Sequence, residues 1–144
     1  DDYDEKRKSN NLSCVLRIEA GGRRMLLTSD IEARDEAALL LRDPGKLAAD
    51  VLLVPHHGSK TSSSAELLAA ARPTVGLVQA GYRNRFGHPA PEVEARYGAH
   101  GVQWRRSDAC GAWTWAADGT MRCEREAAAR YWHHGQQSGA EAVR

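Results

Sequence analysis

Apolar positions along the chain fall into alternating and continuous runs. SCVLRIEA, within residues 12–20, and RMLLT, within residues 24–28, alternate enough to predict strands, and Gly21-Gly22 between them reads as the tight turn of a hairpin. DVLLV (Asp50–Val54) and TVGLVQA (Thr74–Ala80) are continuous instead, the pattern of strands buried on both faces of a central sheet. The stretch Ile31–Arg42, rich in Ala, Leu and Glu and closed by Pro44-Gly45, predicts a helix. Ser62–Ser64 offer N-caps for a second helix over Ala65–Ala71, which Arg72-Pro73 breaks. Pro91 suits the first turn of a short helix, EVEARYG. The last third predicts short strands at Val102–Arg106, Ala112–Trp115 and Thr120–Cys123, then a terminal helix over Arg125–Trp132. This order predicts an α/β fold (α+β by some schemes) over residues 12–134. Residues 1–11 read as a flexible lead-in or linker and residues 135–144 as a disordered tail.

Bulk properties change this picture little. A chain of 144 residues, 42% hydrophobic and 27% charged, fits one globular domain. Its net charge of +1 gives no global case for nucleic acid, so any such case rests on local clusters. No run approaches the ~18 apolar residues that a membrane span requires. The opening DDYDEKRKSNN lacks the apolar stretch of a signal peptide. The first residue is Asp, not Met, which points to a segment of something longer or to processing. Of the three cysteines, Cys14 falls in the first predicted strand, while Cys110 and Cys123 flank a hairpin-like stretch. The plainer expectation is three buried or free thiols; a Cys110–Cys123 bridge would instead point to an oxidising compartment. No Cys/His spacing matches a structural zinc site.

The chemistry gathers after strands. Asp30 follows RMLLT, His56 and His57 follow DVLLV, and His88 follows TVGLVQA. Loops at the carboxyl ends of strands collect functional groups at one edge of an α/β sheet. Imidazoles and a carboxylate suit Zn²⁺, Mn²⁺ or Fe, and a carboxylate can bridge two metals. Each residue also has a plain structural reading. Asp30 can be a helix N-cap, the His-His pair a satisfied loop pair, and His88 the shaper of a turn. Their shared position after three strands favours a site.

Three segments, LLTSDI, ADVLLVPHHGSKTSSSAELL and RPTVGLVQAGYRNRFGHP, resemble the second half of a ComEC-type metallo-β-lactamase domain, over roughly Asn10 to Arg130. PHHGS followed by serines and the NRFGHP loop are the specific parts of the match. The resemblance implies the second half of an αββα sandwich with a divalent-metal site, Mn or Zn and binuclear when complete, at one edge. Asp30 matches the family's metal-bridging aspartate. His56 or His57 matches a ligand or near-ligand, and His88 is a further candidate. An extended backbone would let at most one of His56 and His57 reach a given metal.

Two departures stand out. The family carries a glycine before the aspartate, where this chain has Ser29. The HxHxDH motif of the superfamily's first half is absent from these 144 residues. The chain is therefore expected to be either a fragment or a degenerate module.

For a complete site the resemblance implies hydrolysis of phosphodiesters in the non-transported DNA strand during natural transformation. Asp30, His56 and His57 are the catalytic candidates. Ser59 and Lys60, with Arg83 and Arg85 beside Tyr82 and Phe86, are candidates for phosphate and single-stranded nucleic acid. Helix capping and solvated charge are the plainer roles for these residues. The implied partners are single-stranded DNA and the rest of a membrane channel protein. The implied setting is a soluble domain tethered to the bacterial inner membrane on its extracytoplasmic face. The alternatives are a non-catalytic DNA-binding or structural module of the same transporter, or a small-phosphoester hydrolase of the same superfamily.

Overall fold

The computed structural model describes residues 9–132. The expected tail, 135–144, and most of the expected lead-in lie outside them; Ser9–Leu12 forms a short 3-10 turn. β1 (Leu16–Ala20) and β2 (Arg23–Leu27) make the predicted antiparallel hairpin, with Ala20 opposite Arg23. The first strand starts later than the hydrophobic pattern predicts, and Cys14 precedes it, exposed. β3 (Val51–Leu53), β4 (Val75–Val78) and β5 (Gln103–Arg106) extend the sheet in the order β1-β2-β3-β4-β5. Each of these three pairs parallel with its predecessor, so the carboxyl ends of β2 to β5 lie on one edge. The fold is α/β.

The parallel pairs are joined through α1 (Ala33–Arg42), α2 (Ala65–Ala71) and α3 (Pro91–Ala99). Leu26, Leu52, Gly76 and Trp104 stand side by side in register. That row packs with Leu39 and Leu40 of α1, Leu67 and Leu68 of α2, and Val93 and Tyr97 of α3 in a single core. Each fully buried leucine contributes about 1.5–3 kcal/mol by leaving water. A Cβ at Gly76 would lie 3.1 Å from the Tyr97 ring, so glycine lets the largest buried side chain sit flat on the sheet.

The opposite face is apolar and less covered. Ile18, Met25 and Leu77 line a cavity of about 540 Å³ with Trp113 and Trp115. Both tryptophans belong to a separate two-stranded ribbon, β6 (Trp113–Trp115) and β7 (Met121–Cys123). Arg23 ties the ribbon to the hairpin by donating to the Ala116 and Ala117 carbonyls. Leu16 and Ile18 remain 55% and 43% exposed on this side.

Two sequence expectations are corrected. Cys110 and Cys123 form a disulfide, not free thiols, joining the short α4 (Ser107–Cys110) to the end of β7. The terminal helix is one turn, α5 (Glu124–Ala127), and does not run to Trp132. It buries no residue of its own, and without a packed face a short helix has little to sustain it.

Candidate functional site at the carboxyl edge of the sheet

The three loops singled out by sequence converge at the carboxyl edge of β2, β3 and β4. Backbone bonds stitch the first two together: His56 N donates to Ser29 O at 3.0 Å, and Ala33 N to Thr61 O at 2.9 Å. The third loop docks through Gly58. A Cβ there would lie 2.6 Å from Pro89 Cβ, and Gly58 O accepts from Ala90 N at 2.8 Å. Pro89, bonded to His88 through a cis peptide, is thereby seated on the PHHGS loop.

Backbone strain concentrates here. Ser29, His56, His57, Ser63 and Arg83 have positive φ, and all lie in the loops at or beside this edge. Each such residue costs of order 1–3 kcal/mol and persists only where its surroundings over-determine it, a mark of functional segments. Ser29, at φ +53, occupies a left-handed conformation that glycine adopts more readily. His56 and His57 are both left-handed (φ 49 and 56), so the extended backbone assumed for this pair is corrected.

That geometry sends the two imidazoles to different carboxylates. His57 Nδ1 lies 2.8 Å from Gln79 O, a pure acceptor, so Nδ1 carries the proton. Nε2, 3.4 Å from Asp30 Oδ1, is then a lone pair facing a carboxylate. A proton or a cation between them satisfies both groups. A metal-ligating histidine commonly anchors its other nitrogen in this way. His56 Nδ1 faces Glu32 Oε1 at 3.5 Å and Thr61 Oγ1 at 3.4 Å. The N-cap of α1 is Glu32, so Asp30 is not the cap that local sequence allows.

His88 is half-buried, with ring centroid 6.3 Å from that of His56. Its Nδ1 is buried and has no hydrogen-bond partner among the described residues. Burial, then the neighbouring His56 and His57, hold its pKa below the ordinary imidazole value. Asn84 fixes the loop by accepting from His88 N at 2.9 Å and donating to His88 O at 2.7 Å.

The candidate phosphate ligands divide. Ser59 is buried, and its hydroxyl meets Thr61 Oγ1 at 3.1 Å, within the loop. Nearby Ser64 takes the N-cap role expected of Ser62–Ser64, accepting from Leu67 N at 3.2 Å. Lys60, Arg83 and Arg85 are exposed, with Arg83 over Tyr82 and Arg85 over Phe86 at 5.2 and 4.8 Å.

Glu32, the Gln79 carbonyl, Asn84 and Glu36 escape sequence reasoning. Fully buried, Glu36 accepts from Ser63 N at 2.5 Å and Ser64 N at 2.7 Å, so it clamps the serine loop. Its helical setting gave no sign of that role; Asn84, in a polar loop between Arg83 and Arg85, offered the only local hint.

Asp30 and His57 fit one side of a divalent cation by donor type and tautomer. Among the described residues, no group of three or more His, Cys, Asp or Glu side chains assembles to hold a metal ion. The two alone do not make a complete metal centre.

The fold and edge define an α/β protein with a carboxylate–histidine site. Its relatives include proteins named for competence. The chain is 42% identical over 103 residues (72% of its length) to Competence protein ComA of Neisseria gonorrhoeae. It is 37% identical over 99 residues (69%) to ComE operon protein 3 of Bacillus subtilis. It is 42% identical over 90 residues (62%) to Recombination protein 2 of Haemophilus influenzae. These matches span only 15%, 13% and 11% of the relatives' own lengths. No protein-family model matches the chain.

Proposed function

We propose that this chain is the C-terminal part of a ComEC-type metallo-β-lactamase domain in a DNA-uptake protein, and that it supplies Asp30 and His57 to a phosphodiesterase site. The observation that carries the reading is the His57 tautomer: Gln79 O holds the proton on Nδ1 and leaves Nε2 facing Asp30. The names of the competence relatives support the setting in natural transformation. Bound Mn or Zn would lower the pKa of water and neutralise phosphate charge. The remaining ligands would come from another part of the polypeptide, and the open apolar face of the sheet is suited to a second layer.

Within the chain, Asp30 and His57 bind and orient, and Glu32 and Thr61 steady His56. His88, which gives up its proton more readily than a free imidazole, is suited to proton transfer with a reacting oxygen. Lys60, Arg83 and Arg85 would meet the phosphates of a single strand, the non-transported one in this reading. The Cys110–Cys123 disulfide supports placement on the extracytoplasmic face of the inner membrane, tethered to a channel. No helix among the described residues is long and apolar enough to cross a membrane.

The shortage of donors favours a second reading, a non-catalytic DNA-binding or structural module of the same transporter. Activity on a short chromogenic phosphodiester but not on a strand would point instead to a small-phosphoester hydrolase. The test is metal content and single-strand cleavage by the full gene product. The expected result is bound Mn or Zn, with cleavage that Asp30→Asn and His57→Ala each reduce. The loss should exceed the ~10–100-fold cost of an outer-shell partner. Absence of both metal and cleavage would overturn the enzyme reading.

A further inference from the structure

Beside the Asp30–His57 pair lies a cavity of about 220 Å³, lined by His57, Gln79, Ala80, Asn84, Phe86 and His88. That is below the ~300–1,000 Å³ of sites for drug-sized ligands, so it suits a single planar ring system. Its walls are planar. Phe86 stacks on His88 with centroids 5.7 Å apart and rings 17° from parallel. Phe86 is nevertheless 66% exposed and Tyr82 47% exposed, an unusual allocation in a chain with a single phenylalanine. Arg83 lies over Tyr82 and Arg85 over Phe86, so a base entering against Phe86 would take the place of Arg85 on the ring and release that guanidinium to a phosphate. Gln79, an exposed residue, also lines the cavity and brings an amide to its wall.

An apolar peptide side chain in this cavity would leave the two guanidiniums without anionic partners. A phosphate alone would have no use for the exposed ring. An unstacked nucleobase with its flanking phosphates uses both features.

We propose that the Phe86–His88 cavity is a base-stacking subsite that holds one unpaired base of a single-stranded nucleic acid while Arg83 and Arg85 contact the adjoining phosphates. The proposal rests on the phosphodiesterase reading and adds to it a substrate requirement: the strand is held by a base as well as by its backbone. Duplex is discriminated against because its bases are already paired and stacked. Aromatic stacking of this kind tolerates any base.

The test compares fluorescein-labelled oligothymidylate with an abasic oligonucleotide of the same length, by anisotropy, with chelator present to prevent cleavage. The full chain should bind oligothymidylate roughly fivefold or more tighter, the scale of one aromatic–base stack. Phe86→Ala should bring oligothymidylate down to the abasic affinity and leave the abasic affinity unchanged. Phe86→Trp should keep the preference. The joint Arg83→Ala, Arg85→Ala variant should weaken both strands. Far-UV circular dichroism confirms that each variant is folded. Equal, salt-sensitive binding of both strands, or a preference that survives Phe86→Ala, overturns the subsite and leaves the nucleic-acid reading intact. No binding of either strand overturns both.

Discussion

At Gly58 the PHHGS loop and the NRFGHP loop meet, and a single methyl group would separate them. Its φ is +82°, and an added Cβ would come within 2.6 Å of Pro89 Cβ and 3.0 Å of Pro89 Cα, the latter a backbone atom that cannot swing away. Gly58→Ala therefore combines left-handed strain with overpacking, for an expected cost of roughly 2–4 kcal/mol in urea unfolding. A loss under ~1 kcal/mol would mean that the loops are not held as described. His88 makes a second prediction. Its pKa is lowered by burial first and by His56 and His57 next, so the folded state prefers the neutral ring. Stability should be steady above the 6.5 of a free imidazole and should fall as the pH drops through 6.5 toward the lower folded midpoint. An NMR titration of the His88 ring should find its midpoint below 6.5, moved upward in His56→Ala; a midpoint at or above 6.5 would refute the assignment. Asp30, His56, His57 and His88 were legible because each follows an apolar strand. Their pairing was not, because it depends on left-handed backbone at two histidines that no local pattern announces.

Elements were legible where burial has a period. The continuous runs at DVLLV and TVGLVQA became β3 and β4, parallel neighbours in the middle of the sheet, and the serine-capped helix runs over Ala65–Ala71 as predicted. The C-terminal helix failed because the Ala-rich composition of 125–132 signals helical propensity, whereas only packing sustains so short a helix. The ribbon depends on its crosslink. Its attachments to the rest of the chain include Arg23 and the Cys110–Cys123 bridge, which closes a sequence separation of 13. Replacing the pair by serine should cost about 3 kcal/mol. The loss should appear in the near-ultraviolet signal of Trp113 and Trp115, while far-UV signal from the five-stranded sheet persists at low temperature. An unchanged Tm would show that the ribbon is held without the bridge.

At the scale of the whole molecule, two features point the same way. One face of the sheet is closed by three helices, while the other keeps Leu16 and Ile18 exposed around a large apolar cavity. The candidate site has two converging donors with matched tautomer and charge, and no third among the described residues. Both fit the proposal that this chain forms one half of a two-layer domain. In the sequence, the missing HxHxDH left a fragment and a degenerate module equally open, and the apolar face was illegible because alternating strands look alike whether their second face meets water or protein. In the proposed function Asp30 and His57 grip one metal ion together. It is tested most directly by zinc-edge anomalous diffraction from crystals of the full gene product grown with zinc. The expected result is a zinc peak about 2.0–2.2 Å from both Asp30 Oδ1 and His57 Nε2. Zinc bound elsewhere, with His57 still bonded directly to Asp30, would contradict it.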